Sequence, residues 1–364
     1  MKNILHIIDT TGPGGAETVF LELVRSTADR EVSSVALIRG PGWVQSQLEK
    51  YRSRFFVIDC KGTMQLNYLK RLINLIRSEQ IDVIQTHLLG SAVYGCMAGL
   101  ICRKPVICTF HGVVDISPSE KFKNLKMLIL RFGAARIIAV TDRLKRVLSS
   151  NQLLQEKDIE TIYNGIDVSR FSKAESNSLR SKLGISDSFL VGSLGNIRVP
   201  KNYPLAIDAL HMLHESGVKA HYVIAGQGNT EQLAPLLDAI EKYGLTEYVH
   251  ILGFVDDVQA FLSSLDVFLM TSSSEGHPLA LTQAMSNGLP IVSTPSGIEE
   301  IVTHEFEALI SDSHEATLIA NHLESLYFDT EKRSALGARA KEKAMECYSL
   351  DAMIAKYAEV YKVK

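Results

Sequence analysis

Short apolar runs recur along the chain, each followed by a stretch where apolar residues return at helical spacing. The runs at residues 3–8, 34–38, 55–58, 83–86, 106–110 and 137–141 are rich in Val and Ile and carry no Asp, Glu, Lys or Arg. Continuous apolar character, rather than strict alternation, marks strands buried on both faces, as in parallel sheets covered by helices. Helical spacing is predicted at 18–26, 67–79, 88–102, 121–132 and 142–149. A second series starts at 189–194 and continues with runs at 222–228, 249–255, 267–270 and 290–293. Its helices are predicted at 258–264, from Pro278 to a stop at Asn287-Gly288, and at 316–328, 332–348 and 351–361. Strands and helices taking turns argue for an α/β protein with parallel sheets. Asn164-Gly165 is a turn signal, and 172–188 is polar, so the boundary between two domains is placed near 165.

The length of 364 residues suits two domains of ordinary size. A hydrophobic share of 46% and a charged share of 22% fit a globular protein in water. The net charge of -3 gives no reason to expect a nucleic-acid partner. Cys60, Cys96, Cys102, Cys108 and Cys347 are scattered without a C-x-x-C pair. They read as reduced thiols of a cytoplasmic protein, with no metal site. Lys2 precedes only a short apolar run broken by Asp9, which suits a first strand better than an export signal. The uncharged stretch 88–102 is shorter than the roughly 20 residues that span a bilayer and reads as a buried helix.

Candidate chemistry sits in the loops after strands, where ligands bind in such sheets. Gly12, Gly14 and Gly15 form a glycine-rich turn before the first helix, with Glu17 in its first turn. The spacing is not the G-x-G-x-x-G of dinucleotide sites. His87 and His111 each follow a strand. Arg198 and Lys201 sit in another such loop, and a paired-donor guanidinium next to a compact ammonium suits a diphosphate. Gly276 permits a sharp turn, and Pro278 suits a helix start. The free N–H groups at that helix tip favour an anion, with Glu275 beside it to accept hydrogen bonds from hydroxyls. The segment 121–132 is a basic amphipathic helix that could lie on an anionic membrane or simply show a solvated face.

The stretch Ser273-Ser274-Glu275-Gly276-His277-Pro278-Leu279-Ala280-Leu281, continuing through Ala284, Met285, Gly288 and Pro290, resembles the signature of the retaining glycosyltransferases of family 4. That signature has a second Glu eight positions after the first, where this chain has Gln283. Further likenesses are G-G-A-E at Gly14 to Glu17, H-G at His111-Gly112, N-G-I-D from Asn164, G-N-x-R-x-x-K-N from Gly195 to Asn202, and L-G-F at Leu252-Gly253-Phe254. Gly226 and Gly228 fit the family's I-x-G-x-G, and Glu300 its G-x-x-E.

The resemblance implies a GT-B fold: two Rossmann-like domains, 1–165 and 166–345, facing across a cleft, with a final segment, 346–364, whose helix returns to the first. It implies transfer of a sugar from a nucleotide-diphosphate sugar to an acceptor, such as a lipid-linked glycan in bacterial surface polysaccharide assembly. In that reading His111, Glu275, Arg198 and Lys201 carry the chemistry. Gly14, Gly15, Glu17, Gly253, Phe254, Gly276, His277, Pro278, Leu279 and Gln283 hold the donor, Gln283 accepting from the ribose without charge assistance. No metal is needed in that design. The family further implies a place at the cytoplasmic face of the inner membrane. A sugar-nucleotide epimerase on the same fold, or a non-catalytic nucleotide-binding subunit, stays open on the sequence.

Overall fold

A computed structural model describes residues 2–28, 33–59, 65–112, 120–154, 159–171 and 178–363. Cys60 and the start of the polar connection expected at 172–188 lie outside them. The chain divides into two compact units, Met1–Gly165 with Asp351–Lys364, and Ile166–Leu350.

In the first unit strands and helices alternate: β1 (Asn3–Ile8), α1 (Gly15–Ala28), β2 (Ser33–Ile38), α2 (Trp43–Lys50), β3 (Phe55–Val57), α3 (Leu66–Ser78), β4 (Val83–His87), α4 (Leu89–Cys102), β5 (Val106–Phe110), α5 (Lys123–Gly133), β6 (Arg136–Ala139), α6 (Asp142–Ser149) and β7 (Ile159–Thr161). Among the described residues the strands form one parallel sheet in the order β3-β2-β1-β4-β5-β6-β7. One face packs Leu5, Leu37, Ile84 and Val106 against Leu72 and Ile76 of α3 and Ala92 of α4. The other packs Ile8 and Ile38 against Phe20 and Val24 of α1 and Leu48 of α2. Thr141 caps α6 by accepting from the Leu144 amide at 3.1 Å.

The second unit follows the same plan: α7 (Ser178–Leu183), β8 (Leu190–Leu194), α8 (Tyr203–Glu215), β9 (His221–Ala225), α9 (Thr230–Lys242), β10 (Val249–Gly253), α10 (Val258–Ser263), β11 (Val267–Met270), α11 (Leu279–Asn287), β12 (Ile291–Ser293), β13 (Ala308–Ile310), α12 (Ala316–Phe328) and α13 (Thr330–Cys347). Its parallel sheet runs β10-β9-β8-β11-β12-β13. Val191, Tyr222, Ile224, Leu269 and Val292 pack on Leu210 of α8 and Leu323 of α12. Gly288 ends α11 in the left-handed region, φ 82°, a conformation glycine adopts without steric cost.

A last helix, α14 (Leu350–Val360), belongs to the first unit from Asp351 onward. There the Tyr357 hydroxyl meets Thr109 Oγ1 at 3.1 Å, and Lys2 Nζ donates to the carbonyls of Tyr361 and Val363 at 2.9 Å each. Residue 346, where the final segment was expected to begin, lies inside α13, which stays with the second unit. Cys96 and Cys108 are buried with their sulfurs 3.6 Å apart.

Each sheet reverses its winding once, between β1 and β4 and between β8 and β11. Connections from two neighbouring strands diverge to opposite faces at such a point, which opens a crevice beyond their carboxyl ends. The glycine turn and His87 follow β1 and end β4. The Arg198–Lys201 loop and Glu275 follow β8 and β11.

Candidate functional site

In the second unit the loop after β8 is stitched to the end of β9. The Gly195 amide donates to the Ala225 carbonyl at 2.9 Å, and the Ile197 amide to the Gln227 carbonyl at 2.7 Å. Gly195 has φ 149°, and a Cβ built on Gly226 would fall 1.9 Å from the Gly195 carbonyl oxygen. Only a glycine at 226 lets the two backbones approach this closely. The buried Tyr203 hydroxyl then donates to that same carbonyl at 2.7 Å. Burial, then the neighbouring Tyr222 and Glu275, hold the Tyr203 phenol well above its usual range, so it stays a donor.

Val199–Lys201 forms one 3-10 turn. It sets Lys201 Nζ 2.7 Å from Glu275 Oε1. Glu275 is held from several sides. Ser272 Oγ donates to the same carboxylate oxygen at 2.5 Å, and the Glu275 amide donates to the Ser296 carbonyl at 2.8 Å. Ser272 is itself buried, and its carbonyl accepts from Thr294 Oγ1 at 2.6 Å. The two loops are also joined along the backbone: the Ser273 amide donates to the Pro200 carbonyl at 2.8 Å, and Thr271 Oγ1 to the Lys201 carbonyl at 3.1 Å. The structure therefore brings Lys201 and Glu275 together on rigid loops. Arg198 lies three residues before Lys201, exposed and without an ion pair among the described residues.

Gly276 and His277 lead from Glu275 into α11. Pro278 is the cap of that helix rather than its first residue, because its backbone is still extended, with ψ 115°. The His277 ring is buried edge-on to Tyr348, with centroids 5.0 Å apart. Burial lowers its pKa to about 3. Pro278 and Leu279 are buried, and Gln283 is half-buried on α11. Gly253, φ 71°, bridges to Gly226, which ties it to the Gly195 loop, and Phe254 beside it is 41% exposed.

In the first unit, the Gly14 carbonyl accepts from the amide and hydroxyl of Thr18, and the Glu17 carboxylate folds back over Gly14. Gly15 opens α1. His111 follows β5, and its Nε2 lies 2.9 Å from His87 Nδ1. The two rings lie nearly in parallel planes, 17° apart, and meet edge to edge with centroids 5.2 Å apart. Burial lowers His111 to about 3, and burial followed by the neighbouring His111 and His6 takes His87 well below the usual histidine range. Both are therefore neutral at physiological pH.

Sequence reasoning missed Ser272, Ser296 and Tyr203 as groups that fix the site. Ser272 lies three residues before Glu275, the spacing of a short turn, and that was the available signal. Tyr203 carried none, since its contact depends on how α8 packs.

Residues 13–170 match the model of the family described as Glycosyltransferase Family 4, and residues 175–343 match Glycosyl transferases group 1. The N-acetyl-alpha-D-glucosaminyl L-malate synthase of Bacillus anthracis is 26% identical over 298 residues, 80% of this chain and 77% of that protein. A UDP-Gal:alpha-D-GlcNAc-diphosphoundecaprenol alpha-1,3-galactosyltransferase of Escherichia coli is 26% identical over 323 residues, 85% of this chain and 84% of that one. Among solved structures, Anabaena Alr3699/HepE in complex with UDP-glucose superposes with a TM-score of 0.90 at 22% identity, covering 99% of each chain.

Proposed function

The chain belongs to the family 4 and group 1 glycosyltransferases on the GT-B fold, and from that premise we propose that it moves a sugar from a nucleoside-diphosphate sugar to an acceptor hydroxyl with retention at the anomeric carbon. The observation that carries this reading is the Lys201–Glu275 pair, 2.7 Å apart on the loops that follow β8 and β11, with α11 starting just beyond Glu275. As the bond from the sugar to the diphosphate breaks, negative charge grows on the leaving oxygens. Lys201, Arg198 and the free N–H groups of α11 supply positive potential already in place. The acceptor oxygen bonds to the anomeric carbon, and its proton passes to the departing phosphate. Glu275 accepts from a sugar hydroxyl, His111 contacts the donor sugar, and Gln283 accepts from the ribose. Gly276, His277, Pro278 and Leu279 meet the diphosphate at the helix tip. Gly253 and Phe254 border the base, and Gly14, Gly15 and Glu17 close on the phosphate or the acceptor. No step calls for a metal ion.

The test is incubation of the purified protein with a panel of UDP- and GDP-sugars and a lipid-linked glycan extract, with and without EDTA. Product anomers are then assigned by NMR. An isomerised free donor, an inverted product or activity lost in EDTA would each count against this reading. Binding of UDP or GDP without turnover would count against it as well.

The acceptor is proposed to be a lipid-linked glycan of bacterial surface polysaccharide, met at the cytoplasmic face of the inner membrane. Relatives named for O-antigen and colanic acid biosynthesis support this. So does α5. Met127 and Leu130 face the core, yet Leu125, Leu128 and Phe132 of the helix are 49%, 40% and 67% exposed. Phe122, which precedes the helix with φ 56° rather than lying inside it as the sequence led one to expect, is 70% exposed. Lys126 pairs with Glu120, and the exposed Lys121 and Arg131 lie near these residues. Among the described residues no helix is long and apolar enough to cross a membrane. Replacing Phe122 and Phe132 together by Ser is expected to weaken binding to vesicles containing anionic lipid by about tenfold or more, from the apolar area lost. Co-sedimentation checks it, and unchanged binding removes α5 from the contact.

A further inference from the structure

We propose that His87 is a positioning residue for sugar transfer, acting through its contact with His111; this rests on the reading of His111 as a contact to the donor sugar. His87 is 0% exposed and cannot itself reach a substrate. It ends β4, where the parallel register pairs it with Thr109, two residues before His111 on the neighbouring strand's exit. Behind it the Phe20 ring lies edge-on, with centroids 5.5 Å apart and planes at 89°. Its ring is thus confined on one side by Phe20 and meets His111 on the other.

A nitrogen-to-nitrogen distance of 2.9 Å is a hydrogen bond only if one ring donates and the other accepts. The two neutral imidazoles must therefore hold the same tautomer, both protonated on Nε2 or both on Nδ1. Whichever role His111 Nε2 takes toward His87, His111 Nδ1 takes the other. The bond holds the plane and the tautomer of the His111 ring, and with them the orientation in which that ring meets the donor sugar. Two imidazolium rings at this distance would turn N–H against N–H, and the burial of both keeps them neutral. The hydrogen bond that one ring nitrogen makes sets the protonation of the other and the orientation of the ring, and here His87 supplies that bond.

The experiment compares His87→Ala and His87→Asn in the full-length protein, with kcat, donor KM and the ring-nitrogen NMR shifts of His111 as readouts. Asn can place either an N–H or a carbonyl oxygen where His87 Nδ1 stood. We expect His87→Ala to lower kcat about tenfold, the size of one lost hydrogen bond, and to move the His111 ring shifts. His87→Asn should restore kcat to within about threefold and return the shifts. Unchanged kcat and shifts in His87→Ala would overturn the proposal, as would equal losses in both variants with His111 undisturbed. If neither variant folds, the wild-type spectrum decides. Facing nitrogens with one proton between them support the pair, and two rings that titrate independently near the usual histidine range overturn it. The underlying reading has its own separate check: His111→Ala with full activity would sink the role of His111 while the ring spectrum still reported on the pair.

Discussion

Lys201→Ala is expected to lower the rate constant for transfer at saturating donor by about two to three orders of magnitude, the usual cost of removing a fixed group aimed at developing charge. The expectation comes from where the ammonium is held rather than from its charge alone. Its carbonyl accepts from Thr271, the loop is anchored to the Ser273 amide through Pro200, and the ammonium itself contacts Glu275. A cation held in place before the reaction needs no reorganisation as the leaving group gains charge. The effect should therefore fall mainly on kcat. A group binding ground and transition states equally would raise KM instead. Lys201→Arg is not a conservative control, because a planar fork cannot occupy the position of a compact ammonium against Gly195, where the lysine Cε sits 3.2 Å from the place a Cβ would take. Measuring kcat and KM for the alanine variant, with a thermal midpoint to show that it folds, decides the matter. Transfer within about threefold of wild type would remove Lys201 from the chemistry.

Most strands were legible because runs such as Val83-Ile84 and Val106-Ile107 carry no competing helical period, and parallel strands leave no solvent face to encode. The three-residue edge strands β7 and β13 were missed, because runs that short carry no pattern, so the first sheet does not close at 137–141. The pairing of Lys201 with Glu275 was half legible. Each residue could be placed after a strand, but their contact depends on β8 and β11 being neighbours, which no local pattern states. The contact between His87 and His111 depends in the same way on the register of β4 against β5. In α5 the apolar residues spread beyond one stripe, so the amphipathic pattern could not say that Met127 and Leu130 would turn inward and Leu125 and Phe132 outward. Pro278 shows a different limit. Its missing amide hydrogen fits either the cap or the first turn, and only the backbone angle separates them.

Unfolding is expected to become easier between pH 7 and pH 5, by about 2 kcal/mol for each imidazole that stays neutral while folded. His6 and His111 in the first unit and His277 in the second have their pKa lowered by burial to about 3. In the unfolded chain they titrate near the ordinary value of 6.5. Above that value neither state carries the proton, and nothing is lost. Below it the unfolded chain binds protons that the folded protein refuses, so stability falls with pH until the folded value is reached. Asp9 acts in the opposite direction: burial raises its carboxyl despite Arg39 nearby, so acid favours its folded form. His6 is the one to change, because unlike His111 and His277 it is given no contact with the donor; it neighbours His87, and its ring is edge-on to Phe20 at 6.4 Å and Tyr361 at 6.2 Å. His6→Phe places a ring that cannot ionise between those two partners. Urea unfolding of both proteins across this pH range should show a shallower decline in the variant, by the uptake of close to one proton. Parallel curves would mean that His6 is protonated in the folded state as readily as in the unfolded one, and that burial at the centre of β1 does not govern its charge.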